Sequence, residues 1–321
     1  MVLDFVVIVV GLLALVWSAD QFVEGAAAIA GSVGMPPLLI GMTIVSVGTS
    51  APEILVSLMA AIAGSGELAV GNALGSNIAN IGLVLGITLL ISPILVGRTT
   101  AFIDLPILIG VIILCGVSLA DAVLSIVDAS LLMGALVLYL LRIGSHLRRP
   151  DPNDTPPELP TMPLARALGA FLIGLVILIA SSRALVWASV NVAQGFGVSE
   201  LLIGLTIVAF GTSLPELAAS VVSALRGHAD IAIGAVVGSN MFNLLIVLAL
   251  PGFFETLQLS IHDIQRDLGA VMISTVILTL LIWIGWRGAD NKARLGRSAG
   301  GVFLALYVFY YLWLFHDIPQ A

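Results

Sequence analysis

Charge is what this 321-residue sequence has least of: only 10% of its residues are Asp, Glu, Lys or Arg, against about 25% in an ordinary soluble domain. It holds a single cysteine, Cys115, placed in an apolar run, which excludes disulfides and cysteine-ligated metal clusters. Basic residues are few, twelve Lys and Arg against nineteen Asp and Glu for a net charge of −7. No basic patch interleaved with aromatics forms, so a nucleic-acid partner is excluded. Histidine is equally sparse, and His146, His228, His262 and His316 stand singly in loops or at helix ends. Without HExxH, GxSxG or a Ser–His constellation, an intramembrane hydrolase has no nucleophile–base pair, and the chain does not read as an enzyme.

Apolar residues fill the space left, 60% of the total, with a mean hydropathy of +1.16. A membrane crossing takes about 20 apolar residues, and apolar stretches fall at 2–30, 37–63, 68–95, 102–120, 123–146, 164–190, 200–226, 231–254, 267–287 and 299–315. The expected fold is an all-α polytopic membrane protein of about ten transmembrane helices. The segment from Val2 to Trp17 has Asp4 and no basic residue ahead of it, so it reads as a retained first helix rather than a signal peptide. The polar stretch 148–160, RRPDPNDTPPELP, separates an expected first five-helix unit, 1–147, from a second, 161–321. With the amino terminus outside, Arg98, Arg142, Arg148, Arg149, Arg166, Arg226, Arg287, Lys292, Arg294 and Arg297 fall on the inner side and Arg266 alone on the outer. Positive residues accumulate inside, so both termini are expected outside and the linker in the cytoplasm.

The two halves repeat. Shifted by 163 positions, GMTIVSVGTSAPE (41–53) lies over GLTIVAFGTSLPE (204–216), and GNALGSNIAN (71–80) over GAVVGSNMFN (234–243). Five crossings, an odd number, separate equivalent points, so the copies enter the membrane in opposite directions. Inverted repeats of this kind recur in secondary transporters, with the substrate near the midplane where broken helices meet.

Glu53 and Glu216 each fall near the middle of an apolar stretch. A carboxylate there costs several kcal/mol unless paired, hydrated or bound to a cation, so it reads as functional. A Glu kept only for packing would not recur at symmetric positions. Each follows Gly-Thr-Ser-x-Pro: Gly48, Thr49, Ser50 and Pro52, then Gly211, Thr212, Ser213 and Pro215. Proline has no N–H and clashes with the carbonyl four residues back, so carbonyls near Thr49 and Thr212 are expected to be freed. Hydroxyls, carbonyls and a carboxylate, twice over, form a hard-oxygen set suited to Ca²⁺ or Na⁺ and not to zinc or copper. In the second motif Ser76 and Asn80, and again Ser239 and Asn243, lie four apart on one helix face, with Asn77 and Asn240 beside them. Their oxygens suit Na⁺, although interhelical hydrogen bonding alone also accounts for such residues. The Gly71/Gly75 and Gly234/Gly238 pairs read as close helix packing. Asp20 and Glu24 have no symmetric counterpart, Arg183 standing opposite Asp20. They read as an entry path or as inner-interface residues. Asp104, Asp121, Asp128, Glu67, Glu200, Asp263 and Asp267 read as solvated or capping.

The doubled strings GTSAPE…GSNIAN and GTSLPE…GSNMFN, with SADQFVEGA (18–26), resemble the α-repeats of the calcium/cation antiporter superfamily. They are most similar to its compact prokaryotic sodium/calcium exchangers, especially the bacterial inner-membrane branch. The resemblance implies antiport of Ca²⁺ against Na⁺ by alternating access, with no cofactor and no obligatory protein partner, and with the first and sixth helices as a sliding gate. It implies that Glu53 and Glu216 bind Ca²⁺ with the carbonyls of Thr49 and Thr212. Ser50, Ser213, Ser76, Ser239, Asn80, Asn243 and carbonyls near Ser46 and Ala209 would complete Na⁺ sites. Some relatives carry Asp where this chain has Asn243, so two carboxylates rather than three are expected here. A proton also neutralises a buried carboxylate, and Ca²⁺/H⁺ or broader cation/proton antiport by the same glutamates is the alternative.

Overall fold

The computed structural model describes residues 2–147, 162–196, 209–287 and 292–317. Eight helices there are long and apolar enough to cross a membrane: α1 (Val2–Val33), α4 (Gly66–Ile91), α5 (Thr100–Ser118), α6 (Ile126–Leu147), α7 (Leu164–Gly195), α10 (Ala229–Phe253), α11 (Ile261–Ile284) and α12 (Arg297–Asp317). A ninth span is broken: α2 (Pro37–Thr49) and α3 (Ala51–Ile62) meet at a 46° bend. The tenth expected crossing, 200–226, is represented by the short helices α8 (Ala209–Thr212) and α9 (Leu214–Leu225). Its first part, Glu200 and the linker 148–160 lie outside the described residues.

Burial sorts the helices. In α4 and α10 the apolar spans are 78% and 94% buried, whereas those of α1 and α7 are 28% buried each. Small residues and amides fill α4 and α10, so neighbours close around them on every side. The rim helices keep one apolar face outward, for lipid.

Helices α1 and α7 run antiparallel at close range. A Cβ on Gly11 would meet the Leu185 side chain at 2.9 Å, and one on Gly174 would meet the Phe22 amide nitrogen at 2.5 Å. Phe22 also stacks on Phe171, ring centres 5.0 Å apart. The 163-residue offset carries Gly11 to Gly174 and Phe22 to Leu185, so the two glycine contacts are one contact made twice with the roles exchanged. That is the contact pattern of a local two-fold axis.

Short antiparallel strands, absent from an all-helical expectation, tie the halves together at the helix ends. β1 (Ile94–Gly97) pairs with β5 (Lys292–Leu295), which also pairs with β4 (Trp286–Arg287). β2 (Val123–Leu124) pairs with β3 (Leu257–Gln258). Loops assigned to one side by the basic-residue count therefore do meet: the one after α4 with the one before α12, and the one after α5 with the one after α10.

The structure corrects two aspartates read as solvated or capping. Asp104 is buried in α5 and bound by Arg142 of α6 at 2.9 Å. Asp267, largely buried in α11, accepts from Arg266 at 2.8 Å and from the Tyr310 hydroxyl at 3.1 Å. Asp128 does cap, accepting from the Ser125 amide at 3.0 Å. Asp20 and Glu24 bind Arg226 at the end of α9, at 2.6 and 3.2 Å; in this structure they hold a basic residue.

Candidate ion-binding site

Both GTSxPE motifs break their helix at the serine. Ser50 has φ −82° and ψ 2°, Ser213 has φ −88° and ψ 4°, and neither torsion pair continues an α-helix. Each proline falls in the first turn of the next helix, where a missing N–H costs nothing. The ladder resumes with Ile54 N–H on the Ser50 carbonyl and Leu217 N–H on the Ser213 carbonyl, both 3.0 Å. Glu53 and Glu216 thus fall in the first turn of a new helix inside the bundle.

The break brings the two motifs together. Glu53 and Glu216 are 1% and 5% exposed and close enough to act on each other electrostatically. The Ser50 hydroxyl donates to Glu216 Oε1 at 3.5 Å, and the Thr49 hydroxyl, which donates to the Ser46 carbonyl at 3.4 Å, lies close to the same carboxylate. Ser46, Thr49, Ser50, Ser213, Ser76 and Ser239 are all buried, and Thr212 is partly buried. The Ser182 hydroxyl of α7 donates to the Gly211 carbonyl at 2.8 Å, beside the second break. The backbone of Ala209 opens α8.

On α4 and α10, Asn80 and Asn243 each begin a π-helical turn, Asn80–Leu85 and Asn243–Val247. Such turns insert a residue and often mark functional positions; here they fall at equivalent residues of the repeat. Asn80 Nδ2 donates to Asn240 Oδ1 at 3.0 Å, an amide pair joining α4 to α10. Gly238 allows the close approach of α10 to α2, since a Cβ there would lie 2.6 Å from both the Met42 carbonyl and Ser46 Oγ. Asn72, which the motif reading passed over, donates to the Glu53 carbonyl at 3.2 Å. Its place one turn before Ser76 on the same face was the available signal.

The donor chemistry fits a hard cation. Among the described residues, Glu53 Oε2, Glu216 Oε2, Asn77 Oδ1, Asn243 Oδ1 and Ser239 Oγ are buried without a hydrogen-bond partner. Buried polar atoms ordinarily find partners, and here four of the five are pure acceptors. No group of three or more His, Cys, Asp or Glu suited to a metal occurs among the described residues. Two carboxylates with hydroxyl and amide oxygens suit Ca²⁺ or Na⁺ rather than a thiolate- or imidazole-seeking metal.

Comparison with known proteins settles the family. The profile described as sodium/calcium exchanger protein matches residues 3–144 and again 166–316. The chain belongs to the sodium/calcium exchanger family. This exchanger is 39% identical to inner membrane protein YrbG of Escherichia coli over 98% of its own length and 96% of that protein. It is 30% identical to the sodium/calcium exchanger MaX1 of Methanosarcina acetivorans, with 98% and 99% covered. A structure of the sodium-calcium exchanger NCX_Mj soaked with Na⁺ and Ca²⁺ superposes with a TM-score of 0.82 at 29% identity, covering 97% and 98% of the two chains. The exchanger is accordingly a multi-pass helical membrane protein and a cation antiporter rather than an enzyme.

Proposed function

We propose that this exchanger moves Ca²⁺ against Na⁺ through one site built on Glu53 and Glu216. The observation that carries the reading is two buried carboxylates, each with an oxygen unclaimed by the described residues, framed by oxygens from both copies of the motif. In this reading Glu53, Glu216 and the Thr49 and Thr212 carbonyls bind Ca²⁺. Ser50, Ser213, Ser76, Ser239, Asn80, Asn243 and the backbone near Ser46 and Ala209 complete the sodium sites. With Asn243 neutral, two glutamates balance one Ca²⁺, and Na⁺ must enter in several copies to supply comparable charge. The two loads then exclude each other. The empty, doubly negative site resists crossing a dry barrier, so the protein changes sides only when loaded, and exchange is coupled.

The same reading divides the chain into inverted five-helix repeats, 1–147 and 161–321, joined by a cytoplasmic linker at 148–160. Both termini face outward from the cytoplasmic membrane. The basic-residue asymmetry supports this, as does the likeness to the inner membrane protein of E. coli. No cofactor enters the cycle, since the ions are the substrates.

Calcium uptake into proteoliposomes under an imposed sodium gradient, compared with an imposed pH gradient, tests the proposal. Sodium-driven uptake that is lost in Glu53→Gln supports it. Uptake driven by the pH gradient alone would transfer the assignment to calcium/proton antiport. Normal sodium-driven uptake by Glu53→Gln would sink the site.

A further inference from the structure

The backbone of Glu53 is anchored in a way that the second repeat does not reproduce. Asn72 Nδ2 donates to the Glu53 carbonyl at 3.2 Å and to Ser57 Oγ at 3.0 Å, and the Ser57 hydroxyl donates onward to the Ala69 carbonyl at 3.4 Å. A half-buried amide of α4 thus grips two successive turns of α3. The offset of 163 residues carries Glu53 to Glu216, Ser57 to Ser220, Ala69 to Ala232 and Asn72 to Ala235. Ala235 offers no amide. Ser220 Oγ, as buried as Ser57, has no hydrogen-bond partner among the described residues.

We infer that Asn72 is a positioning residue for Glu53, fixing the first turn of α3 against α4 and making the two glutamates of the site inequivalent. A helix carbonyl can accept from the N–H four residues on and has a second lone pair free; Asn72 takes that second position at Glu53. It therefore sets the roll of the turn from which the carboxylate projects, without touching the carboxylate. Glu216 is steadied otherwise, through its side chain, by the Ser50 hydroxyl of the opposite motif. Asn72 also lies on the stripe of α4 that continues to Ser76 and Asn80 at successive four-residue steps, so the anchor and the oxygens of the site share one rigid face.

The inference rests on the proposed role of Glu53 and makes a more selective claim. A divalent ion bound between two carboxylates needs both aimed at one point, whereas sodium ions held by separate hydroxyl and amide oxygens do not. Loosening Glu53 should therefore weaken Ca²⁺ more than Na⁺.

The test is sodium-driven calcium uptake by reconstituted wild type, Asn72→Ala, Ser57→Ala and Glu53→Gln. Alanine is what the second repeat carries at the equivalent place, and thermal melting of each purified variant checks folding. Removing one hydrogen bond to a positioned carbonyl should raise half-saturating Ca²⁺ about three- to tenfold in Asn72→Ala. The maximal rate and the half-effective Na⁺ should stay near wild type. Ser57→Ala, which keeps the Asn72–Glu53 bond, should leave Ca²⁺ saturation near wild type. An unchanged Ca²⁺ saturation in Asn72→Ala, or an equal loss for Ca²⁺ and Na⁺, would overturn the inference. So would an equally large shift in Ser57→Ala, which would reduce the contact to helix packing. Glu53→Gln separates the two claims: if it transports normally, the site assignment itself fails, and if it is inactive while Asn72→Ala behaves as wild type, only the positioning role fails.

Discussion

Asn80 donates its side-chain amide to the side-chain oxygen of Asn240 at 3.0 Å, across 160 positions of sequence and between the two most buried helices. The bond joins the first copy of the GSN motif to the second. Asn240 Nδ2, a donor, and Asn243 Oδ1, an acceptor, are buried beyond it without partners among the described residues.

Glu216→Gln tests the symmetry of the site. It should abolish sodium-driven calcium uptake as fully as Glu53→Gln, because a single remaining carboxylate cannot balance Ca²⁺. Radioactive calcium uptake measures both, and robust transport by either variant would argue that the charge is supplied elsewhere.

Gly238→Ala should fold poorly. The added methyl would press on the Met42 carbonyl and Ser46 Oγ at 2.6 Å, and overpacking of this kind costs about 1–3 kcal/mol. Gly71→Ala serves as the comparison, since a Cβ there meets nothing within 4 Å among the described contacts. A melting series in detergent should rank Gly238→Ala well below Gly71→Ala.

Arg142→Ala should destabilise more than Asp104→Asn. The first leaves a buried carboxylate without its cation, and the second leaves a partly exposed guanidinium that water can reach. The cost of breaking a fully buried pair is about 3–5 kcal/mol; with Arg142 at 28% exposure about 1–3 kcal/mol is expected here. Equal melting points for the two variants would contradict this.

Stability should fall on the acid side through His228, in the turn between α9 and α10. Burial, and then the Arg226 charge beside it, hold the imidazole below its ordinary value of 6.5. The unfolded chain then binds the proton more readily, so stability is complete above about pH 6.5 and is lost as pH falls towards the lower folded value. Melting between pH 5 and 8 should show that slope, and His228→Gln should flatten it.

The residues that the structure buries together at the two helix breaks stand out in the sequence. The doubled GTSxPE string singles out Glu53 and Glu216 as candidates, because a carboxylate in an apolar helix is costly without a partner and here it recurs at equivalent positions, and the structure buries both. The buried pairing of Asp104 was not legible, because its partner Arg142 lies on another helix and their spacing follows no period. The Asn72 contact is not legible either, because its partner is a backbone carbonyl on another helix, which sequence does not display.

The amino-acid sequence by itself determined that this chain fills a membrane with apolar helices, that it repeats with opposite direction, and which residue types its centre contains. Composition and period suffice for that, because hydrophobic burial and backbone satisfaction in lipid leave few other solutions. Only the tertiary structure decided which polar groups meet: the Ser50 hydroxyl on Glu216, the Asn80 amide on the Asn240 oxygen, the Asn72 amide on the carbonyl of Glu53. Those pairings depend on a bend of 46° at Ser50, on π-helical turns that begin at Asn80 and Asn243, and on how closely Gly238 lets two helices approach. Each is set by packing between segments far apart in the chain, which the order of the residues does not encode locally.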